Sequence, residues 1–373
     1  MKLSKIVAAL CVGVSLVAGS VSARELKAAV GVPPASAPYF GMDAFIKTLK
    51  ERTNGELTVK VFPPSLLSLS QSFAGVRDGV VDTGYLPTQM FAANLPDTQL
   101  PVELAMLGTN AFAMAGAMSE YMYSCSECMA ERVKSNQVYL GSASTGPYWI
   151  LATKKMATLD ELKGKKLRSA AGPWSRWAQH FGIVAVSISG NEIFEGMSQG
   201  TIDGTMNAAS ELSGLRLIDL AKHITVGLPG GTVHGLDVHS MNRNTWRSLT
   251  EAQRKAVLEA AAMGNAGTTW KFNNDVEKNM ELAKQKGIQV HQPAPDVVAR
   301  SKAFLDADLA GVAQTAEKTH GIKNATQKIA RFRALVDKWE KLLPATTNWD
   351  HEAVGKIYYR EIYSKIDPKT FGM

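Results

Sequence analysis

The sequence predicts a two-domain α/β protein with a helical C-terminal part, and three features carry that prediction. Short apolar strands alternate with amphipathic helices from residue 25 to residue 226, the pattern of parallel strands covered by crossover helices. Gly79-Val80-Val81-Asp82-Thr83-Gly84 is echoed by Gly200-Thr201-Ile202-Asp203-Gly204-Thr205, each after a short helical stretch, which suggests two similar halves. From Asn244 onward strand signals nearly stop and helical periodicity takes over.

Residues 1–23 stand apart from this fold. Lys2 and Lys5 precede an apolar run over 6–17, and Val21-Ser22-Ala23 supplies small residues for cleavage. That is the build of a secretory signal peptide cut after Ala23. The apolar run is short for a membrane span, and Cys11 lies in its middle rather than at its end, away from a lipid-attachment position. The mature chain is therefore expected to be exported and soluble. Its remaining length fits two domains of ordinary size, and 45% hydrophobic with 20% charged residues is globular composition. The formal charge of +7 falls when Lys2 and Lys5 leave, and the excess is spread along the chain. Such a mild positive balance does not point to nucleic acid but favours the approach of a small anion.

The first strand is expected over 25–32, followed by the proline-rich loop 33–38. Phe40, Ala44, Phe45 and Leu49 have the spacing of an amphipathic helix over 39–53, stopped by Asn54-Gly55, and 57–62 alternates as a second strand. A helix over 70–78 and a strand over 80–85 continue the pattern. Residues 86–107, with Pro87, Pro96 and Pro101, read as loop, and 110–135 as one long, mostly helical stretch. Within it Cys125-Ser126-Glu127-Cys128 has a spacing used for redox and zinc chemistry, but no second pair of ligands is at hand for zinc. In an oxidising compartment a local structural disulfide is the plainer reading.

Strands are expected over 137–142 and 150–153, with a first crossing between domains beside Gly146-Pro147-Tyr148-Trp149. Thr158-Leu159-Asp160-Glu161 forms a capping box for a short helix, and 166–170 is the strand that carries Arg168. Helix 175–181, strand 184–188, helix 191–198 with Ser189 as its cap, strand 200–206 and helix 211–220 follow. Residues 225–226 resume a strand and 233–241 cross back. A long helix is expected from about Thr250 to Gln285, then a last strand over 287–290 and helices over 296–343 and 352–363, broken near His320-Gly321. The domain division that follows is 24–146 with 234–272, and 147–233 with 273–373.

Two segments and their neighbours resemble the solute-binding proteins of tripartite ATP-independent periplasmic (TRAP) transporters, the DctP family. They are Leu162-Lys163-Gly164-Lys165-Lys166-Leu167-Arg168 and Gly200-Thr201-Ile202-Asp203-Gly204-Thr205-Met206-Asn207. Supporting matches are Asn54-Gly55-Glu56-Leu57-Thr58-Val59-Lys60-Val61-Phe62-Pro63 and Gly79-Val80-Val81-Asp82, so the likeness covers nearly the whole mature chain. The resemblance implies a periplasmic-binding-protein-like clamp, with a ligand between two domains and a long helix spanning both. It also implies a periplasmic location, a small organic acid as ligand and membrane permease subunits as partners; no cofactor or metal is expected. The chain would act as a monomer or homodimer.

In that family the arginine at the strand end pairs with the solute carboxylate, and Arg168 stands at the matching place; Asn207 matches the polar position that touches the ligand. Tyr85, Thr88 and Gln89 match cleft side chains after the third strand, and Ser36 lies in a loop that faces the cleft. The chain also departs from its relatives. Trp149 stands where many carry a second arginine, no aromatic occupies the neighbourhood of Gly190, and Asn207-Ala208 replaces the Trp-Glu of metal-bridged 2-oxo-acid binders. Sialic acid and a metal-bridged keto acid are disfavoured by these differences, whereas Trp149 and Trp174 suit a flat or apolar portion of a ligand.

Each residue also has a plainer reading. Arg168 could be a surface arginine beside Lys163, Lys165 and Lys166; Asn207 could cap the following helix; Trp149 and Trp174 could be core packing. The scattered histidines show no metal-ligand spacing, and neither a nucleophile elbow nor a phosphate loop is present. An exported α/β enzyme acting on a carboxylate-containing molecule is the rival class.

Overall fold

The computed structural model describes residues 23–170 and 172–373. The expected signal peptide, except for Ala23, lies outside them. The first half consists of β1 (Arg24–Ala29), α1 (Ala37–Arg52), β2 (Leu57–Phe62), α2 (Ser72–Arg77), β3 (Thr83–Pro87), α3 (Pro96–Val102), α4 (Ala111–Tyr123), α5 (Ser126–Lys134) and β4 (Gln137–Val138). The second consists of β5 (Tyr148–Ala152), α6 (Leu159–Leu162), β6 (Lys166–Arg168), α7 (Gly172–His180), β7 (Val184–Val186), α8 (Ile193–Ser198), β8 (Gly204–Ala208), α9 (Glu211–Gly214) and β9 (His223–Pro229). Then come β10 (Leu236–Asn242), α10 (Arg243–Ser248), α11 (Glu251–Gln285), β11 (Gln289–His291), α12 (Pro295–His320), α13 (Ala325–Leu342) and α14 (His351–Glu361).

Two sheets result, ordered β2-β1-β3-β10-β4 and β11-β9-β5-β8-β6-β7. In each, one long strand runs against a parallel set: β10 against β3, and β5 against β8. The parallel members β1, β2 and β3 on one side, and β6, β7 and β8 on the other, end at carboxyl edges that carry the cleft loops. Open α/β sheets bind their ligands at such edges.

The helix α11 links the halves. Thr250 and Gln253 form its capping box, with Gln253 N–H donating to Thr250 Oγ1 at 3.2 Å and Thr250 N–H to Gln253 Oε1 at 3.1 Å. At 1.5 Å per residue it is about 52 Å long. Its N-terminal half, through Phe272, packs in the main core, and Val276, Met280 and Ala283 reach the second hydrophobic cluster. Close approach to α1 depends on two glycines: a Cβ on Gly41 would stand 1.8 Å from Thr268 Oγ1, and one on Gly264 2.9 Å from Gly41 O.

Several elements depart from the sequence expectation, each through a tertiary contact. The stretch expected as loop contains α3, which tolerates Pro96 in its first turn. Glu131 of α5 satisfies its free amides, accepting from Asp97 N–H at 2.5 Å and from Thr98 N–H at 3.1 Å. The strand β8 runs four residues later than Gly200, so Asn207 lies within the strand and not beyond it. The tail divides. Its helix α12 meets the second half, where Trp177 Nε1 donates to Ser301 Oγ at 2.8 Å, whereas α13 packs on α4 and α14 on α11, and Tyr358 Oη donates to Phe112 O at 2.7 Å. Apolar faces on these helices are legible in the sequence, but their partner is not.

Cys125 and Cys128 are bonded. Cys125 also caps α5, its Sγ accepting from Cys128 N–H at 3.2 Å. Because the loop it closes is so short, this bridge removes little chain entropy. Next to it, Arg132 and Asp237 form an ion pair at 3.0 Å with side chains 1% and 0% exposed, joining α5 to β10, which lies between β3 and β4.

Candidate ligand-binding cleft

Strand register sets the site's layout. Trp149 is opposite Asn207 across β5 and β8, and Arg168 opposite Thr205 across β6 and β8. Side chains alternate along a strand, so Arg168, Thr205, Asn207 and Trp149 share one face of the second sheet. Tyr148, the first residue of β5, begins at the same sheet edge. Its hydroxyl faces the Arg168 guanidinium.

Arg168 is 9% exposed. Its Nε donates to Ile188 O at 3.2 Å, which fixes the orientation of the guanidinium plane. Burial pulls its pKa below the ordinary value, while Tyr148 and Glu211 oppose that shift. Arginine stays charged under any such shift. Among the described residues no carboxylate makes an ion pair with it. A buried, permanently charged fork without a counter-ion is suited to receive an anion.

From the first sheet, Tyr85 enters the same space near Tyr148 and Glu211. Both phenols are nearly enclosed, so burial raises the Tyr148 pKa to about 12 and pushes that of Tyr85 higher still. They remain neutral hydrogen-bonding groups at any physiological pH. Trp174, 1% exposed, supports Tyr148 from behind, with ring centroids 4.6 Å apart and planes 26° from parallel. The Trp174 indole donates to Gly230 O at 2.9 Å, tying α7 to the segment that leaves β9.

The other expected site residues divide. Asn207 is 4% exposed, with Oδ1 accepting from Ala208 N–H at 2.9 Å. Ser36, the residue before α1, and Gln89, in the turn after β3, each hold a buried oxygen without a protein hydrogen-bond partner, as do Thr205 and Ser210 in the second half. Buried polar atoms normally find partners, so these positions stand out as ligand-facing candidates. Thr88 is committed elsewhere: its hydroxyl donates to Gly235 O at 2.9 Å, and its carbonyl accepts from Gln99 Nε2 at 2.7 Å. It shapes the turn that presents Gln89. Trp149 is half-buried and packs on the second hydrophobic cluster, with its neighbour Tyr148 turned the opposite way.

Tyr148 and Glu211 belong to the site without having been singled out in the sequence. Tyr148 precedes the strand expected over 150–153, so nothing local in the sequence marked it as the ring that meets Arg168. Glu211, the first residue of α9, read only as a helix start.

A cavity of about 850 Å³ opens between Gln89, Ala170, Gly172 and α12. An ion-pair bridge crosses it from half to half. Arg176 of α7 donates to Glu103 Oε2 at 2.6 Å, and in two-point fashion to Asp308 of α12 at 2.7 and 2.9 Å. Among the described residues no group of three or more acidic, histidine or cysteine side chains gathers to hold a metal ion, and no described helix is long and apolar enough to cross a membrane.

Comparison with known proteins gives this geometry a family. A "TRAP solute binding protein" from Rhodoferax ferrireducens, solved with copurified benzoate, superposes with a TM-score of 0.74 at 19% identity, covering 86% of this chain and 99% of that one. A TRAP periplasmic solute-binding protein from Bordetella bronchiseptica, with bound (R)- and (S)-mandelate, gives a TM-score of 0.71 at 19% identity over 84% and 99% of the two chains. The "Outer membrane transporter protein TsaT" of Comamonas testosteroni is 25% identical over 242 residues, 64% of this chain and 70% of that protein. The profile of "Bacterial extracellular solute-binding protein, family 7" (DctP) matches residues 29–315, and with that span the chain belongs to the family 7 extracellular solute-binding proteins.

Proposed function

We propose that this protein captures a small organic acid in the cleft between its two sheets, with Arg168 holding the carboxylate, and delivers it to the membrane permease of a TRAP transporter. The observation that carries this reading is the buried Arg168 guanidinium, which faces Tyr148 and has no ion-paired carboxylate among the described residues. An uncompensated buried charge is costly, and an incoming carboxylate offsets that cost with two-point geometry.

The rest of the cleft favours a flat monocarboxylate. The stacked Tyr148 and Trp174 rings offer an aromatic wall beside the guanidinium, and structural relatives hold benzoate and mandelate. Ser36, Gln89 and Asn207 supply polar contacts at the ligand's edges. Hinge closure about the two crossings, near 146 and 234, brings Tyr85 over the bound acid. Export follows cleavage after Ala23, which places the protein in the periplasm beside its permease.

A thermal-shift screen across aromatic monocarboxylates, aliphatic mono- and dicarboxylates and sugar acids tests this. A ligand at a hundred times its Kd adds about 2.7 kcal/mol to the folded state, so flat monocarboxylates should raise Tm most. A series in which no acid shifts Tm, or in which only neutral compounds do, would defeat the proposal.

A further inference from the structure

Glu211 is a carboxyl in the binding cleft that anion capture does not require. It follows β8 directly, four residues after Asn207, and its side chain folds back along α9 with Oε2 3.1 Å from where a Cβ on Gly214 would stand. No hydrogen bond or ion pair is made by its carboxyl group among the described residues. The charged and titratable groups around it are Arg168 of β6, Tyr85 of β3, Tyr148 of β5 and Asp275 of α11. Asp275 is itself held by Lys271. Arg168 is therefore the one cation facing Glu211 that has no carboxylate of its own.

We propose that Glu211 sets the charge class of the ligand: it admits one carboxylate at Arg168 and rejects a second negative group elsewhere in the cleft. The inference rests on Arg168 as the carboxylate anchor. A monocarboxylate uses the single free positive charge. A second carboxylate would meet Glu211 with no cation left to compensate, and like charges in a partly desolvated site repel strongly.

The same placement gives a pH dependence whose sign is fixed. Burial, reinforced by Asp275 and opposed by Arg168, raises the Glu211 pKa to about 7. Below that pH the carboxyl is neutral, and the whole Arg168 charge is available to the ligand. Above it, ionised Glu211 competes with the ligand for Arg168, so affinity for an anion falls as pH rises from 6 to 8.

The test compares wild type with Glu211→Gln, which keeps size and removes the charge. Calorimetric titrations use three probes of nearly equal shape: terephthalate, 4-carbamoylbenzoate and the neutral terephthalamide. Wild type should bind 4-carbamoylbenzoate at least tenfold tighter than terephthalate at pH 8. In Glu211→Gln that preference should shrink below about threefold, and affinity for 4-carbamoylbenzoate should become flat between pH 6 and 8. Identical behaviour of the two proteins towards the two acids at both pH values would overturn the proposal. Terephthalamide reports separately on Arg168: if it binds wild type as tightly as 4-carbamoylbenzoate, the carboxylate anchor is wrong, whatever Glu211 does.

Discussion

Arg168→Ala should bind its acid roughly 30-fold to several-thousand-fold more weakly than wild type, because truncating one partner of a buried charge pair costs about 2–5 kcal/mol. The loss should appear mainly as faster dissociation. Arg168→Lys should fall between the two, since an ammonium keeps the charge but lacks the planar fork that meets both carboxylate oxygens. Folding should not suffer in step. Arg168 has no ion-paired carboxylate in the protein, and burial already disfavours its charged form, so Tm of the ligand-free variant should stay level or rise. Loss of binding together with retained Tm separates a binding residue from a structural one. Equal affinity in wild type and Arg168→Ala, measured by calorimetry, would remove Arg168 from the site.

The largest effect on stability is expected at Arg132. Its side chain and that of Asp237 are almost fully buried, 3.0 Å apart, and the Tyr139 ring lies 5.4 Å from the guanidinium carbon. Arg132→Ala leaves Asp237 in the core without its cation, a change that costs about 3–5 kcal/mol. The cost should depend on pH. In wild type, burial pushes the Asp237 pKa up to about 7 against the pull of Arg132, so the native state holds a proton that the unfolded state has already released. Stability therefore falls as pH rises from about 4 to about 7 and levels off above. Without Arg132 the pKa rises further, so the variant keeps losing stability above pH 7. Urea denaturation should show a larger deficit at pH 8 than at pH 5. Making both positions neutral, with Arg132→Met and Asp237→Asn, should recover part of the loss, as no buried charge then remains. A deficit independent of pH would mean that packing, not charge, dominates there.

How far the sequence disclosed this molecule depended on whether the determining contact was local. The helix α11 was legible almost to the residue because Thr250 and Gln253 cap each other and Gly287 follows its end. The strand β2 was legible because alternation and Asn54-Gly55 bound it. By contrast α3 needed the Glu131 carboxylate from another helix, and the docking of α13 and α14 needed surfaces on α4 and α11. Within the cleft, Arg168 and Asn207 followed from the family likeness. Tyr148 and Glu211 required the chain crossings that bring them to Arg168, and Thr88, matched to the family's cleft side chains after the third strand, spends its hydroxyl on Gly235 O. Trp174, read both as a ligand contact and as core packing, is 1% exposed and stacks on Tyr148.

Whether the cleft recognises a carboxylate can be read from calorimetric titration with benzoate and its neutral isostere benzamide. Benzoate should bind wild type at least a hundredfold tighter than benzamide, and this preference should vanish in Arg168→Ala, since only the acid can meet the guanidinium at two points. Comparable binding of the two compounds by wild type, or a preference for benzoate that survives in Arg168→Ala, would contradict carboxylate recognition by Arg168.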